Sequence, residues 1–595
     1  AFYLPWKADY RGRLYAETPW FTPQGGDLQR ALLEFHRGRP LDTEGLRALQ
    51  RHGANLVRRT RLLEDLNIEG RQVVTLEERE RWVRDHEAQI LASAASPLTE
   101  SFWRKVASKP MQFLAFCLAY RQWTLNPALP VHLPVQIDGT CNGLQHIAAL
   151  TGDVGLAHAV NVLPGADGLP GDIYSELATA AATAIGRLHL DEDRKIHHRG
   201  LEFADAWLAA SPQGRAWLNR ETAKKVVMTI PYGASRTAQV GHVLEAIAPK
   251  FEQAWQKEAP PLPELDALVD WKNQDQNKAC RRFVATCTKG LFGELRQAAF
   301  ASADPLVRSL AHAEWERQRT LAAYTALALV EHLHAVLAKD YPAVNVFSDW
   351  LKKTAKACSG LPLLWLSPLG FPVCQDKFKL KGTSVTARLG AKTVRIDVER
   401  LDDAVAPAKQ RDALLPNLIH SLDATHLALT LLEAKAHGVT DLGSIHDCLL
   451  CHPNDAPVLG RVVRSAFARL YQPGRLDLPA PLIRWLDWMA RLVELKAVPR
   501  RDKVLAALTW PGEQGERDLD HDARRGDRNA DRAVNVLAAL RRCDPTERFL
   551  IQLLLKYAVS QSLSSKGRGD QLMPSPPCSA ALPLGDGTLS AYFFS

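Results

Sequence analysis

Cysteine is scarce and scattered in this sequence, and no long apolar run is free of charges or helix breakers. Ten cysteines are spread over 595 residues, unlike the dense framework of a disulfide-stabilised domain, so we interpret them as reduced thiols in an intracellular protein. Cys448 and Cys451 have CxxC spacing, but no second pair or histidine cluster completes a zinc site. The most apolar segments, 361–374 and 325–338, are interrupted by Pro, Gly, Glu or His before the ~18 residues of a membrane span. We therefore expect no membrane partner.

A strong charge bias is also missing. Lys and Arg (74) exceed Asp and Glu (66) to give a formal net charge of +8, a mild excess that fits a polyanionic partner without requiring one. Hydrophobic residues at 46% and charged residues at 24% are ordinary for a globular protein. The length suggests roughly four domain-sized units. The chain opens AFYLPWKADY without an initiator methionine or a leader, so we expect a fragment or a processed product.

Towards its end the chain changes in composition. Residues 515–532, GERDLDHDARRGDRNADR, form a mixed-charge tract that cannot bury a core, which predicts a solvated loop or disorder. Asp520, His521 and Asp522 could imitate metal ligands there, but a flexible charged loop is the favoured interpretation. We predict a divergent, partly disordered insertion or tail over 511–584.

Patterns elsewhere predict a mixed α+β protein that is mostly helical. Segment 131–138, VHLPVQID, has strand-like residues and ends on Asp138, and the CNGLQHIAAL after it predicts a helix start. Segment 444–451, SIHDCLLC, predicts a short strand pair with Asp447 near its turn. A hairpin is predicted near 379–399, where β-branched and polar residues alternate around a glycine.

Two strand-end aspartates and one basic helix could support chemistry on a polyphosphate. Two Mg²⁺ ions that clamp the attacking and leaving oxygens of such a reaction need only one or two protein carboxylates on rigid elements. Each feature alone is weak, because a strand-end Asp is usually a turn former and a basic stripe is usually a solvated face. The segment RETAKKVVMTIPYGA predicts one helical stripe through four residues at i, i+4 spacing: Arg220, Lys224, Met228 and Tyr232.

Four segments, in this order, resemble motifs of the single-subunit RNA polymerases of bacteriophages and mitochondria. The first catalytic motif is matched by DGTCNGLQHIAAL from Asp138, and the fingers helix by RETAKKVVMTIPYGA from Arg220. A further nucleotide-site motif is matched by LPNLIHSLDATH from Leu415, and the second catalytic aspartate by SIHDCLLCHP from Ser444. DYRGRLY, GFPVCQD and the terminal YFFS also match, the last being similar to organellar members. The resemblance covers about residues 1–510 and the last few residues.

The resemblance implies a DNA-directed RNA polymerase that copies a template by two-metal nucleotidyl transfer, with a right-hand polymerase fold. A palm over 1–166 and 420–510 would carry both aspartates on a small antiparallel sheet, and helical fingers would occupy 167–419. Residues 585–595 would end near the active site. The thumb and the N-terminal promoter-binding domain of the family are expected to be absent from this chain.

The resemblance also implies roles for individual residues. Asp138 and Asp447 would hold the two Mg²⁺ ions, with the Gly139 carbonyl as a helper. Lys224 would bind the triphosphate and protonate the leaving pyrophosphate, and Arg220 would contact the same phosphates.

A second set of residues would select the nucleotide. Tyr232 and Gly233 would sense the ribose and position the template, with His420 as the partner at the 2′-hydroxyl. Pro231 has no backbone donor and is expected to end or kink the helix just before Tyr232. The other matched residues have less specific expected roles. Arg11 and Arg13 would lie near the nascent hybrid or have a structural role. His146 and His426 would serve in packing or would support the residues that contact the substrate.

The implied partners are a DNA template, nascent RNA and ribonucleoside triphosphates, with transcription initiation factors as further candidates. The YFFS ending favours a mitochondrion or another organelle, and a phage or plasmid enzyme in a bacterial cytoplasm is the alternative. One rival function is a related right-hand DNA polymerase, but such enzymes normally place a bulky acidic side chain where this chain has Gly139 to Asn142. The other rival is a polymerase-derived fragment that binds nucleic acid without independent activity.

Overall fold

The computed structural model describes residues 2–471 and 524, with gaps at 166–167, 189–196, 259–273, 292–296, 298–300, 302–303, 358–362, 376 and 390–391. Every residue predicted for the active site falls in the described part. The predicted palm segment beyond residue 471 and the terminal segment 585–595 lie outside the described residues. So does the tract 511–584 apart from residue 524, including Asp520, His521 and Asp522.

Most of the described chain is helical, as predicted. Helix starts are stabilised where side chains satisfy the free N–H groups of the first turn, as at Thr75 and Glu78, which form a capping box. Asn219 caps the basic helix by accepting hydrogen bonds from the Glu221 and Thr222 N–H groups. The helices are α1 Asp27–Ala31, α2 Thr43–Asn55, α3 Arg59–Asp65, α4 Leu76–Asp85, α5 Glu87–Ala95, α6 Phe102–Val106, α7 Pro110–Leu125, α8 Asn142–Thr151, α9 Val154–Ala159, α10 Ile173–Ala184, α11 His198–Ala210, α12 Pro212–Trp217, α13 Arg220–Val227, α14 Arg236–Glu258, α15 Gln274–Cys287, α16 Pro305–Asp340, α17 Pro342–Ala357, α18 Pro407–Ala436 and α19 Ala456–Tyr471.

The strands of the described chain form four small antiparallel sheets, three of them two-stranded. The fourth sheet has three strands in the order β3-β9-β8 and joins segments that are far apart in sequence. Small antiparallel sheets on a mostly helical background confirm the predicted mixed α+β class. The strands are β1 Trp6–Ala8, β2 Leu14–Ala16, β3 Val135–Asp138, β4 Leu363–Leu366, β5 Pro372–Gln375, β6 Phe378–Leu389, β7 Lys392–Val405, β8 Leu442–Ile445 and β9 Cys448–Cys451.

One long helix, α16, runs through the middle of the helical region. It packs against α10, α11, α14 and α17. Every residue of its segment 321–330 is buried. By length and composition, α16 is the one described helix that could cross a membrane, but 78% of its apolar stretch is buried inside the fold. A buried core helix passes the same test of length and composition, so α16 is accounted for by packing.

Two elements bear on the predicted division into palm and fingers. β6 and β7 form a hairpin across the region where one was predicted near 379–399, with an irregular register between Phe378 and Leu380. Helix α18 continues through the predicted boundary at 419/420. That boundary therefore falls inside a continuous helix rather than in a linker.

The predicted helical stripe holds as far as Met228, whose N–H bonds the Lys224 carbonyl, but it is wrong at Tyr232. The expected end of the helix before Tyr232 is confirmed. Helix α13 ends at Val227, and tight turns follow, in which the N–H groups of Ile230 and Tyr232 bond to carbonyls three residues earlier. Pro231 explains the position of the end, because a proline lacks the N–H that would bond the carbonyl four residues back and its ring clashes with that carbonyl. That carbonyl belongs to Val227. Tyr232 consequently lies in a turn after the helix, and not on its surface.

Candidate active site

The three-stranded sheet brings the two predicted metal ligands together. β3 pairs with β9 so that Asp138 lies opposite Cys448, and directly opposed Cα atoms in such a pair are about 4.5–5.5 Å apart. Asp447 immediately precedes Cys448, so both aspartates meet at the same end of the sheet. This juxtaposition joins positions separated by more than 300 residues of sequence.

The turn that carries Asp447 has a specific backbone geometry. Only His446 and Asp447 separate β8 from β9, and Ile445 pairs directly with Cys448 across the turn. His446 has φ 58°, a left-handed conformation that two-residue hairpin turns require. The ring of Tyr15 packs edge-on against His446 with centroids 4.8 Å apart. The N-terminal hairpin β1–β2 thus supports the turn beside Asp447.

The electrostatics of the pair suit a divalent cation. Burial, the Asp138 charge and the Asp423 charge raise the pKa of Asp447 to about 7. Desolvation also raises the pKa of Asp138, although nearby Lys109 and Lys224 oppose that shift. Two carboxylates that destabilise each other's charged forms would be stabilised by a bound cation between them. In the described part of the chain, no group of three or more His, Cys, Asp or Glu forms a metal site, and Mg²⁺ requires only one or two carboxylates.

A cavity of about 200 Å³ opens beside Asp138 and is rich in cationic side chains. Helix α13 contributes Arg220 and Lys224 to its wall, one turn apart on the same face. Tyr174 lies beneath both, with the Arg220 guanidinium 5.3 Å and the Lys224 ammonium 5.9 Å from its ring centroid. Such cation–π contacts fix a cation without neutralising it. The cationic residues of the wall are Arg59, Arg79, Arg220 and Lys224.

Asp172 organises two of these cations. It accepts hydrogen bonds from Arg220 Nε at 2.8 and 3.1 Å and from Arg59 Nη2 at 3.1 Å. Burial alone would raise the pKa of Asp172, but Arg220, the Ser175 hydroxyl and Arg59 lower it below its ordinary value. Asp172 therefore stays ionised and holds the two guanidinium groups at the cavity.

Lys224, on the same cavity wall, has an ammonium group whose pKa is shifted. Desolvation and the Arg220 charge lower the pKa of Lys224, while Asp138 acts in the opposite direction. An ammonium with a lowered pKa gives up its proton more readily than an ordinary lysine. Lys224 lines the same cavity as Arg220 and Asp138, so its ammonium could act on a phosphate held beside the aspartates.

Tyr232 and His420, the residues predicted to recognise the ribose, are held together by close packing. The Tyr232 and His420 rings stack with centroids 4.9 Å apart and an interplanar angle of 26°. A Cβ added to Gly143 would lie 2.7 Å from Pro231 and 3.3 Å from the Tyr232 ring, so the turn after α13 packs directly on helix α8. Gly233 has φ +66°, and a Cβ there would lie 2.9 Å from the backbone oxygen of Asp412. The close contacts favour glycine at both positions, and the positive φ of Gly233 adds to that preference.

Arg11 and Arg13 both make ion pairs within the chain. Arg13 donates to both carboxylate oxygens of Asp423, which is buried on α18. Burial raises the pKa of Asp423 to about 6, although Arg13 works against that shift. Arg11 donates to Asp9 at 2.6 and 2.9 Å and bonds His420 at 2.7 Å. These contacts favour the structural role over the nucleic-acid contact, which stays a prediction.

The other matched residues lie in the core. His146 bonds the Tyr471 hydroxyl at 2.5 Å, and His426 bonds the Val463 carbonyl at 2.9 Å. Both histidines are buried, in agreement with the predicted packing role. Cys448 and Cys451 are buried three residues apart on one strand, so their side chains point to opposite faces of the sheet.

Sequence reasoning missed several residues that shape the site. Arg59 reaches the cavity from helix α3, and Asp172 and Tyr174 reach it from the start of helix α10. No local pattern distinguishes them. The role of Asp423 could have been predicted, because this residue lies inside the matched LPNLIHSLDATH motif. An acidic residue among apolar helix positions needs a partner when it is buried, and Arg13 is that partner.

Comparison with known proteins finds relatives over most of the chain. A family model described as DNA-dependent RNA polymerase matches residues 39–480, well over half of the chain. The chain belongs to this single-subunit RNA polymerase family. It is 30% identical to the mitochondrial DNA-directed RNA polymerase of Mus musculus over 507 residues, which cover 84% of this chain and 34% of the mouse protein.

Two further relatives show the same partial coverage. The chain is 29% identical to DNA-directed RNA polymerase 2, chloroplastic/mitochondrial, of Arabidopsis thaliana, over 80% of this chain and 39% of that protein. It is 29% identical to the mitochondrial enzyme of Homo sapiens over 86% of this chain and 34% of the human protein. The chain thus spans about a third to two fifths of the length of the curated relatives it matches.

Proposed function

We propose that this chain carries the nucleotidyl-transfer centre of a DNA-directed RNA polymerase. The observation that supports this most is the meeting of Asp138 and Asp447 at one end of a sheet, beside a cavity walled by cations. Template-directed RNA synthesis from ribonucleoside triphosphates needs that combination. In its transition state the transferred phosphoryl group carries negative charge on its oxygens, and the attacking and leaving oxygens lie in line on either side of the phosphorus. Metal ions and cationic side chains stabilise that charge.

Asp138, Asp447 and the Gly139 carbonyl are the groups that would hold magnesium. Their hard oxygen atoms suit Mg²⁺. A bound cation would offset the burial and the charge repulsion that raise the pKa of Asp447. Magnesium bound there supplies charge stabilisation to the attacking and leaving oxygens. The protein itself supplies rigid placement through the β3–β9 pairing.

The cavity wall is proposed to bind the triphosphate. Arg220, fixed by Asp172, would hold phosphate oxygens in a set position, because an arginine with a fixed fork binds phosphate with directional hydrogen bonds. Lys224 would donate its proton to the departing pyrophosphate. The lowered pKa of Lys224 supports this acid role.

The stacked pair of Tyr232 and His420 is proposed to recognise the sugar. A buried donor or acceptor that bonds the ribose 2′-hydroxyl would be left unpaired by a deoxynucleotide. Gly233 beside Tyr232 is proposed to help position the template. This assignment favours RNA over DNA as the product, in line with the absence of an acidic residue from Gly139 to Asn142.

At the scale of the chain, we propose a right hand with palm over 1–166 and 420–510 and fingers over 167–419. DNA template and nascent RNA would lie across the end of the β3-β9-β8 sheet that carries the two aspartates. The printed names of the relatives support a mitochondrial or chloroplast location. Transcription initiation factors are further proposed partners.

Extension of an RNA primer on a preassembled DNA template, with the full chain and Mg²⁺, tests the proposed function. The account predicts template-directed incorporation of ribonucleotides and poor use of deoxynucleotides. Equal use of both sugars would favour the DNA polymerase alternative. Tight scaffold binding with no incorporation of either sugar would favour the non-catalytic fragment.

A further inference from the structure

Arg11 touches the sugar-facing histidine in a way that determines where its proton lies. The Arg11 Nη1 atom is 2.7 Å from His420 Nδ1. An arginine guanidinium is always protonated and can only donate. His420 Nδ1 must therefore accept, and a neutral ring that accepts at Nδ1 carries its proton on Nε2.

The N-terminal hairpin holds Arg11 in this position. Its Nε and Nη2 atoms donate to Asp9 at 2.9 and 2.6 Å, and Nη2 also lies 3.3 Å from the Tyr15 hydroxyl. Asp9 is fixed in turn, because its carboxylate accepts from the backbone N–H groups of Arg11 and Arg13. The loop closes through Gly12, whose φ of +88° favours glycine.

His420 is surrounded by groups that disfavour a second proton. Burial, Arg13, Arg11 and His446 lower its pKa to about 3. Arg11 and Arg13 come from the N-terminal hairpin, and His446 from the turn beside Asp447. The Tyr232 ring from the fingers turn covers one face of the imidazole. The ring is thus neutral near pH 7, and the Arg11 contact selects one of its two neutral tautomers.

We propose that Arg11 is a positioning residue that locks His420 in the Nε2–H tautomer, so that His420 offers a single fixed N–H donor to the sugar 2′-oxygen. This inference rests on the proposed function and gives Arg11 a role distinct from contact with the hybrid. An N–H donor fixed in advance requires an acceptor, and a deoxyribose provides none. Without Arg11, both tautomers become populated and part of the molecules lose the donor.

The protonation state can be measured without any activity. The full chain labelled with ¹⁵N in its histidine rings is recorded by NMR, and the His420 signals are identified by their loss in His420→Gln. We expect Nδ1 to have the shift of an unprotonated nitrogen and Nε2 that of a protonated one, with no titration between pH 5 and pH 9. A protonated Nδ1, or a shift of either nitrogen within that range, would overturn the proposal.

A second experiment tests the effect of Arg11 on the choice between ribonucleotides and deoxynucleotides. Arg11→Gln, whose amide can donate or accept, should lower the ratio of kcat/KM for ATP over dATP by about two- to tenfold and give averaged ring shifts. Arg11→Lys keeps a donor-only cation and should retain more of the ratio than Arg11→Gln. Arg47→Gln, on an exposed arginine paired with Glu44, is the matched control.

The outcomes separate the two proposals. An unchanged ratio and unchanged ring shifts in Arg11→Gln would overturn the positioning role even if the enzyme extends primers normally. A wild-type chain that shows the expected ring shifts but extends no primer would leave the tautomer assignment intact and contradict the proposed function.

Discussion

At the scale of single residues, the chemistry of this site is determined by what each charged group faces. Asp172 is kept ionised by two arginines, whereas burial and the Asp138 charge raise the pKa of Asp447 towards neutrality. Lys224 lies between a cation and a carboxylate, and the cation together with desolvation outweighs the carboxylate. The surroundings of each side chain thus set its pKa, and residues of the same type differ in protonation behaviour within one site.

Lys224→Ala tests the acid role. Removing the ammonium withdraws a proton donor that matters most as pyrophosphate leaves, so kcat should fall by about 100-fold or more while KM for the nucleotide changes little. Single-turnover kinetics with ATP measure both. A rise in KM at constant kcat would mean that Lys224 only binds the substrate, as Arg220 is proposed to do.

Tyr232→Phe tests sugar recognition by the tyrosine. The substitution keeps the ring that stacks on His420 and removes one hydroxyl, so overall activity should persist while deoxynucleotides become acceptable. One net hydrogen bond corresponds to about 0.5–1.5 kcal/mol, or up to roughly tenfold in discrimination. The ratio of kcat/KM for ATP over dATP is the measurement, and an unchanged ratio would leave Tyr232 a packing residue.

Arg13→Gln tests the buried pair through its pH dependence. Burial gives Asp423 a folded-state pKa of about 6, above its value of about 3.9 in an unfolded chain, so the folded state binds this proton more tightly and loses stability as pH rises through that window. Removing Arg13 should raise the pKa of Asp423 further, so the loss of stability continues above pH 6.

The expected result for Arg13→Gln is a lower unfolding midpoint at pH 8, equivalent to about 3–5 kcal/mol for an unpaired buried charge, and a much smaller change at pH 5. Adding Asp423→Asn should restore part of the midpoint at pH 8, since no buried charge is then left unpaired. An equal loss at both pH values would show that Arg13 stabilises through packing alone.

At the scale of elements, the turn after helix α13 is the part that connects the triphosphate wall to the sugar pocket. Pro231 ends the helix at Val227 and then packs on Gly143 of helix α8. The first catalytic motif and the fingers segment are therefore in direct contact. Movement of either element would carry Tyr232 with it.

Gly143→Ala tests this contact. The added methyl would lie 2.7 Å from Pro231, closer than carbon atoms tolerate, so the turn must shift and Tyr232 must move relative to His420. We expect a lower kcat and weaker discrimination between ATP and dATP. Gly241→Ala, at a helical glycine with nothing within 4 Å of the new methyl, is the matched control. Equal behaviour of the two variants would argue against the contact.

Local patterns predicted the elements that carry the aspartates but not the way in which distant elements meet. Asp138 at a strand end and the hairpin around Asp447 followed from alternation and turn residues, and both are confirmed. The place of Tyr232 on the helical stripe was wrong, whereas the end of the helix before it was expected from Pro231 and is confirmed. The Asp172 clamp on Arg59 and Arg220 could not be predicted, since it depends on tertiary proximity alone.

At the scale of the whole molecule, four segments distant in sequence converge on one site. Each segment contributes charged or aromatic side chains. The four segments are the N-terminal hairpin, strand β3 with helix α8, helix α13 with the turn after it, and helix α18 with the β8–β9 hairpin. Buried ion pairs and ring stacking link them, as in Arg13 with Asp423 and Tyr232 with His420. Loss of one link should therefore be felt at more than one part of the site.

The central claim is that Asp138 and Asp447 act together in nucleotidyl transfer. Primer extension on a preassembled scaffold, measured in parallel with scaffold binding, tests it through Asp138→Asn and Asp447→Asn. Asp349→Asn, at an exposed residue of helix α17, is the control. The account predicts that each site variant loses extension by on the order of 10³-fold or more while binding the scaffold like wild type. Substantial extension by either site variant, at any Mg²⁺ concentration, would contradict it.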